Sequence, residues 1–549
     1  MARLSHFPKT PFCLFLIVLL SFPLLPVHSP FGKAQELVTP TVVTLDEAEI
    51  LDKLRGAWAG QMIGVGWGQT TEFDAVGRIL EEDEVPIWDP RSINLGFWQD
   101  DLYAEITFLK SMSEGGVNCT WEMLAWRFVD DMIGQELWHA NWEALQNLRG
   151  GHMPPDSGHF LYNEHCDDID WQIEADLAGE VAPGQVNTAI EIAWRLGHVT
   201  NYGDGVYGGV FVAAMHAKAF TASSVEEIIE AGRQAVPLGS KYRQVIEDVL
   251  AWRQGRSWEE VWQLLEEKWG QDDRCPEGVN SPFNIDAKFN GAYVLLGLLY
   301  GNGDFEESMR IALRCGQDSE CNPSTVGGIL GNWLGFSRIP VKFTQELRAD
   351  LPFYRVRPPY KFDDVVNISL ELARQTLQMN GGWISGTTWH IPDQGPIRPP
   401  ILEQWPVWGN KLPILEVSVE QQADGTVHFR ASAYDEDGTI QAYQWYFGDL
   451  VYTDGADVWH TYSRDGSYEA VGWVTDNVGN TACYPVTVRV VLPMATSTPA
   501  ITPTYTPSPT PTATSTLTSS PTPTFTPELS ATPTPSPWTY MLPVLLQGR

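Results

Sequence analysis

Residues 315–331 read CGQDSECNPSTVGGILG, which sets two carboxylates, Asp318 and Glu320, one serine apart ahead of a run of small and apolar side chains. Asn followed by Pro is a favourable helix start, so Asn322 and Pro323 are expected to supply the cap and first turn. That leaves the two acids free for other work. In an extended or turning segment, residues two apart point to the same side, which lets both carboxylates meet one cation. The positive end of a helix dipole stabilises such acids but opposes a bare metal ion, so a cation there needs further carboxylates from elsewhere. GFWQDDLYAEITFL supplies Asp100 and Asp101, adjacent at the start of an amphipathic pattern; on their own they read as first-turn acids favoured by the helix dipole. A further acid, Glu72, lies near the end of AGQMIGVGWGQTTEF, after glycines at 60, 64, 66 and 68. Those glycines permit tight helix packing or close ligand approach, and their spacing is not a phosphate-binding fingerprint.

The elements that must carry these residues are helical. Apolar residues recur at helical spacing in LDEAEILDKLRGAWAGQMIG, DLYAEITFLKSM, VNTAIEIAWRLGHV, VEEIIEAGRQAV and NGAYVLLGLLYG, with loops of Gly, Pro, Asp and Asn between them. Residues 45–401 are therefore expected to form one all-α domain. Between 412 and 492 apolar and polar residues alternate, with turn signals at Asp437-Gly438 and 477–480, which predicts a small all-β sandwich. Residues 494–537 are almost pure Thr, Pro and Ser, a composition that favours an extended stalk without a core. The tail 538–549, WTYMLPVLLQGR, reads either as a plain end or as a surface-retention signal. At the other end, Arg3 and Lys9 precede the apolar PFCLFLIVLLSFPLLPV. This is the layout of a signal peptide, so residues 1–34 are expected to direct export to a secreted or cell-surface location.

Against 35 Lys+Arg the chain carries 69 Asp+Glu, a net charge of −34. Such a surface repels phosphate backbones and anionic membranes, which argues against nucleic acid as a partner. The seven cysteines include no CxxC pair and no zinc-type spacing, so a structural zinc site is not expected. Their density is too low for a disulfide-built fold. With no Gly-x-Ser-x-Gly elbow, a Ser-His-Asp nucleophile has no support.

Taken in order, the acidic segments resemble the ADP-ribosylglycohydrolase family over roughly residues 45–382. LRGAWAGQMIG resembles the family's opening Arg-x-x-Gly helix, and Glu72-Phe73 the end of its Gly-rich turn. Gln99-Asp100-Asp101 resembles its Thr-Asp-Asp helix start, and 316–322 its Gly-x-Asp-Thr-Asp-(Thr/Cys)-Asn segment. The most specific block is LLYGNGDFEESMRIALRCGQDSECNPSTVGGILGNWLG. The resemblance implies an all-α domain with two Mg²⁺ ions in a central cleft. It also implies an ADP-ribose-like or other glycoside substrate, and hydrolysis of an N- or O-glycosidic bond by a metal-oriented water. Carried over, the metal ligands are Gln99, Asp100, Asp101, Asp318 and Glu320, and the catalytic residues are Glu72 and Asp101. Asp170, Trp98, Asn201 and Asn322 are the expected substrate contacts. Glu174 and Asp176 are further candidates for the cleft, and Trp67 and Trp171 are stacking faces or core. His198 and His216 read as structural.

Three departures stand out: Gln99 replaces a hydroxyl residue, Glu320 an Asp, and Cys321 a hydroxyl. An amide carbonyl and a glutamate still reach Mg²⁺, whereas a thiol is a poor ligand for it. The rival reading is a non-catalytic surface protein with a degenerate metal site. In the β module, YQWYFGD and HTYSRDGSYEAVGWVTDNVGN resemble the PKD family. That implies a seven-stranded extracellular sandwich serving as spacer or binding accessory, with a cell-surface glycan or protein as partner.

Overall fold

The helix Glu47–Gly68 is capped by Asp46, whose carboxylate accepts from the Ala48 N–H at 2.9 Å, and every residue from Gly56 to Gly68 is buried. The computed structural model describes residues 41–272, 275–276, 285–403, 411–422, 424–449 and 451–492. The expected signal peptide, stalk and C-terminal tail lie outside them. Gly56, Gly60, Gly64 and Gly68 form a stripe along the helix, and the stripe faces the helix Cys321–Leu334 and the turn before it. A Cβ at Gly60 would stand 1.9 Å from the Gly327 carbonyl oxygen, and one at Gly331 would stand 2.1 Å from that of Gly56. The two backbones touch, so the glycines serve helix packing rather than ligand approach. Asp204–Ala219 and Ala287–Gly301, buried on nearly all sides, pack against Cys321–Leu334, and Val186–Gly197 packs on Asp204–Ala219.

The helix carrying the acidic motif starts at Cys321, not at Asn322-Pro323. The Asp318 carboxylate accepts from the Cys321 N–H at 2.9 Å, while Asn322 lies inside the first turn and donates to Asn290 Oδ1 at 2.8 Å. Asp318 thus performs the capping expected of Asn322. A side chain ahead of the helix can reach an orphan N–H that one already wound into the first turn cannot.

The helical domain also contains a small antiparallel sheet in the order Val42–Asp46, Thr388–Pro392, Trp383–Ser385, with Val42 opposite Pro392 and Asp46 opposite Thr388. It ties the first described strand to the end of the domain. Beyond it, seven strands among the described residues form an antiparallel sandwich. One sheet runs Thr481–Val490, Gly466–Asp476, Ile440–Tyr446, Tyr452–Asp454, and the other Ile414–Gln421, Thr426–Tyr434, Asp457–Thr461. Val427, Phe429, Trp445 and Tyr462 fill its centre. The sandwich packs directly on the helices. Trp473 lies 4.9 Å from Trp194 between ring centroids, and Thr481 Oγ1 meets the Tyr202 hydroxyl at 2.8 Å.

If the glycine stripe sets the separation of the two helices, Gly60→Ala should destabilise the fold by about 1–3 kcal/mol. At an exposed helix position the same change stabilises by roughly 1 kcal/mol. Urea unfolding distinguishes the two, and a raised midpoint would refute the backbone contact.

Candidate functional site

The packed helix pair brings its loops together at one end. Phe73 N–H donates to the Gln317 carbonyl at 3.0 Å, Gln317 N–H donates to that of Ala75 at 2.8 Å, and the Thr71 and Ser319 hydroxyls meet at 2.9 Å. Phe73 and Gln317 both adopt positive φ, 57° and 51°, so each loop turns sharply where it meets the other. Gly316, at φ 81°, leaves no room for a side chain: a Cβ would lie 2.3 Å from the Ala75 carbonyl oxygen. These contacts hold Glu72 beside Asp318 and Glu320. The third wall comes from the helix Asp100–Gly115, which starts with both aspartates in its first turn.

Glu72, Asp100, Asp318 and Glu320 line one cavity of about 180 Å³. Ligand oxygens of Asp100, Asp101 and Glu320 all lie within 4.8 Å of one another. Asp101 and Glu320 are buried. Asp101 Oδ1 accepts from the Cys321 thiol at 3.3 Å, whereas its Oδ2 is buried with no donor. Burial and the neighbouring carboxylates raise Asp101 and Glu320 well above the usual range. Burial raises Asp318 as well. Asp100 is pushed up to about 6, chiefly by burial and then by Asp318. Glu72 reaches solvent at the mouth, yet desolvation, Asp318 and Asp100 push it up to about 8. An acid cluster in which every member resists ionisation is suited to binding a cation or to holding protons for transfer.

The other expected residues separate into wall and scaffold. Asp170 lines the cavity and fixes the start of the helix His139–Gly150, accepting from the N–H groups of Ala140 at 3.3 Å and Asn141 at 3.0 Å. Burial lifts it to about 7. Glu174 also lines the cavity, bonded to the Asn141 amide. Gln99 precedes the Asp100–Gly115 helix and donates to Gln69 Oε1 at 3.1 Å.

Asn201 is fully buried away from the cavity lining. It donates to the Cys166 and Asp168 carbonyls at 3.1 and 2.9 Å and accepts from the Trp171 N–H at 3.2 Å, so it braces the loop leading to Asp170. Asn322 sits behind the wall. Trp98 is half exposed and stacked on Tyr354 at 3.7 Å, outside the lining. Trp171 is core, with Gly197 and Gly209 against its ring; Trp67 packs against Trp88. Asp176 lies in the interior 3.0 Å from His216, and His198 bonds Glu403 at 2.8 Å.

Sequence reasoning missed Trp138 and His139 on the rim, and the apolar wall of Phe73, Ile169, Ile173 and Ile285. No periodicity marks them, because they come from loops and helix ends.

Comparison with known proteins follows the same division of the chain. The model of the ADP-ribosylglycohydrolase family matches residues 46–378, and that of the PKD domain residues 410–491. A collagenase, ColA of Clostridium perfringens, is 39% identical over 75 residues, which are 14% of this chain. The match spans only 6% of that relative's length. Among solved structures, the PKD1 domain of Vibrio anguillarum Epp is 27% identical, covering 15% of this chain and 99% of that domain with a TM-score of 0.15. An ADP-ribosylglycohydrolase-related protein complex is 19% identical, covering 60% of this chain and 99% of that one with a TM-score of 0.41.

The raised carboxyls give the site a pH signature. Without metal, the folded chain holds protons on Asp100 and Glu72 that the unfolded chain has released above about pH 4.5. Their stabilising contribution is therefore complete below about pH 4 and is lost as pH rises through about 6 and then about 8. The metal-free melting temperature should fall across that window, and added Mg²⁺ should restore it increasingly at higher pH, because a cation needs deprotonated carboxylates. Glu72→Gln should flatten the upper part of the fall. Calorimetry at fixed ionic strength reads all three, and a metal-free melting temperature that climbs over the same range contradicts the assignment.

Proposed function

The chain belongs to the ADP-ribosylglycohydrolase family, and on that premise we propose that it is an exported, Mg²⁺-dependent hydrolase of an ADP-ribosyl or related N- or O-glycosidic bond. One observation carries the reading. Acids from three distant segments, Glu72, Asp100, and Asp318 with Glu320, line a single cavity, and ligand oxygens of Asp100, Asp101 and Glu320 lie within 4.8 Å of one another.

The residues fit a hard divalent cation. The donors are carboxylate oxygens, which Mg²⁺ prefers, and Asp101 Oδ2 is buried without a donor of its own. Asp100, Asp101, Asp318 and Glu320 would hold a pair of Mg²⁺ ions, with Gln99 at the edge of the set. When bound, the ions supply charge neutralisation and Lewis-acid polarisation of ribose hydroxyls and of a water. Asp101, fully buried beside Asp100 and Glu320, would help to orient such a water. Glu72, exposed at the mouth beside these acids, is placed to hand a proton to the leaving atom and to take one from the incoming water, as a general acid and base does.

Phe73, Ile169, Ile173 and Ile285 exclude bulk water from one wall. Trp138, about half exposed, stands on the rim of the cavity. Asp170 sets the start of the His139–Gly150 helix and hence the position of that rim. The PKD module, and its likeness to a segment of a collagenase, support a secreted or cell-surface location where the sandwich contacts a glycan or protein.

Two measurements test this on the intact chain. Isothermal calorimetry should show Mg²⁺ binding that Asp101→Asn and Asp318→Asn each weaken by about tenfold or more. Release assays on ADP-ribosyl-arginine, ADP-ribosyl-serine and simple glycosides should show turnover abolished by EDTA, with Glu72→Gln lowering kcat by about 10²–10⁴-fold while Mg²⁺ still binds. Turnover that survives EDTA removes the metal mechanism. Absence of Mg²⁺ heat, together with silence on every substrate, leaves the non-catalytic surface protein as the function.

A further inference from the structure

Among the described residues that line the acidic cavity, none comes from the loop 198–203 between the helices Val186–Gly197 and Asp204–Ala219. The loop is nonetheless buried throughout and hydrogen-bonded on two sides. On one side stand the sandwich and the segment that precedes it. The Tyr202 hydroxyl bonds Thr481 Oγ1 at 2.8 Å. Glu403 accepts from the Gly203 N–H at 3.1 Å and joins His198 Nε2 at 2.8 Å, while His198 Nδ1–H donates to the Trp194 carbonyl at 2.6 Å. On the other side stands the cavity wall. Asn201 holds the Cys166 and Asp168 carbonyls and the Trp171 N–H. The Asn163 amide donates to the Thr200 carbonyl at 2.8 Å and to that of Ala140 at 3.0 Å.

We propose that Tyr202 and Glu403 are positioning residues for the acidic cavity. They clamp the sandwich and the segment before it to loop 198–203, and the loop in turn fixes the wall residues Ile169 and Asp170 and the start of the helix His139–Gly150. The proposal rests on that cavity being the substrate site, and neither residue touches the reacting bond.

Apolar packing alone does not transmit such a position. The Trp473–Trp194 contact holds sandwich and helices together, but hydrophobic attraction is non-directional. A hydrogen bond weakens steeply as its geometry opens, and a buried donor or acceptor left unpaired bears its whole desolvation cost. Loop 198–203 therefore cannot shift against the sandwich without stranding Tyr202, Thr481 or Glu403, nor against the wall without stranding Asn201. Two short routes lead inward. One runs from Asn201 through the Trp171 N–H to the neighbouring Asp170, and the other from Thr200 through Asn163 to Ala140. Both end at one place, because Asp170 accepts from the Ala140 and Asn141 N–H groups.

Amide hydrogen exchange on the full chain tests the clamp. Thr481→Val keeps the side chain's shape and lies wholly within the sandwich, and Tyr202→Phe removes the other half of the same bond. In each, the Ala140, Asn141 and Trp171 amides should exchange about 2- to 10-fold faster, the shift that one net hydrogen bond supports, while those of Glu47–Gly68 keep their wild-type rates. Glu403→Ala should act likewise, and Glu403→Gln, which can still pair with Gly203 and His198, should restore the wild-type rates. Trp459→Ala is the control: this tryptophan is about half exposed in the sheet that does not carry Thr481, and its loss should leave the rim amides unchanged. On any substrate the chain turns over, Thr481→Val should raise KM and leave kcat, because wall and rim bind rather than react. Rim amides that hold their rates in Thr481→Val and Tyr202→Phe, an equal acceleration in Trp459→Ala, or an acceleration shared by Glu47–Gly68 overturns the clamp. Exchange needs neither metal nor turnover, so silence in the release assays would count against the hydrolase alone, and unchanged rim exchange against the clamp alone.

Discussion

The close approach of two helix backbones underlies the rest of this molecule. Glycine costs a helix about 1 kcal/mol per residue relative to alanine, and Glu47–Gly68 carries a stripe of them. What offsets the cost is contact: with no Cβ in the way, the helix meets Cys321–Leu334 main chain to main chain, where dispersion contacts are dense. The stripe does not stop at the helix end. Gly68 abuts the Ser319 carbonyl, and beyond it the Thr71–Ser319 and Phe73–Gln317 hydrogen bonds continue the same seam. The seam delivers Glu72 to the acids of the partner turn. A methyl group in the stripe would separate the carboxylates as well as the helices.

What the seam assembles is electrostatically unfavourable without a cation. Some interior acids have cationic partners, as in Lys110–Asp131 at 2.9 Å and Lys288–Asp286, whereas Glu105 and Glu180 are buried against each other and Asp176 and are pushed well above the usual range. Among the described residues lining the acidic cavity there is no Lys or Arg. Buried carboxylates facing one another can relieve the strain in only two ways, by taking up protons or by binding a metal. The raised pKa values describe the first state, and the orphaned Asp101 Oδ2 points to the second. The two compete, so the same geometry that makes a metal site also makes it pH-sensitive. The cluster opposes folding of the metal-free chain at alkaline pH, which is the usual relation between stability and a functional site.

The sandwich is integrated with the helices rather than suspended from them. Tyr446, Val471 and Trp473 belong to the same apolar core as the helical domain, and Glu469 accepts from the Trp121 N–H at 3.3 Å. Burying aromatic surface of this kind contributes on the order of kilocalories per side chain. The module therefore supports the domain it follows, in addition to any partner it presents to the outside.

Much of this was legible in the residue order. Apolar residues at helical spacing marked the helical domain, alternation marked the sandwich, and Asp318 and Glu320 stood out as surplus to capping, whereas Asp100, Asp101 and Glu72 gained their meaning from the order of the segments and the family resemblance. Asp318 shows the boundary of that reasoning: it caps its helix and faces the cavity as well, a double use visible only once the helix start is known to be Cys321. Asn201 and Trp98 were expected at the substrate on type and neighbourhood, yet one is consumed by backbone carbonyls and the other by Tyr354. Trp138, His139 and Ile285 have no linear signature at all: they come from loops and helix ends far apart in the chain, yet line one cavity. Local sequence determines periodicity and propensity, which are short-range properties. Which side chains meet across a seam or a loop depends on how whole elements pack, and that is settled only when the backbone closes on itself.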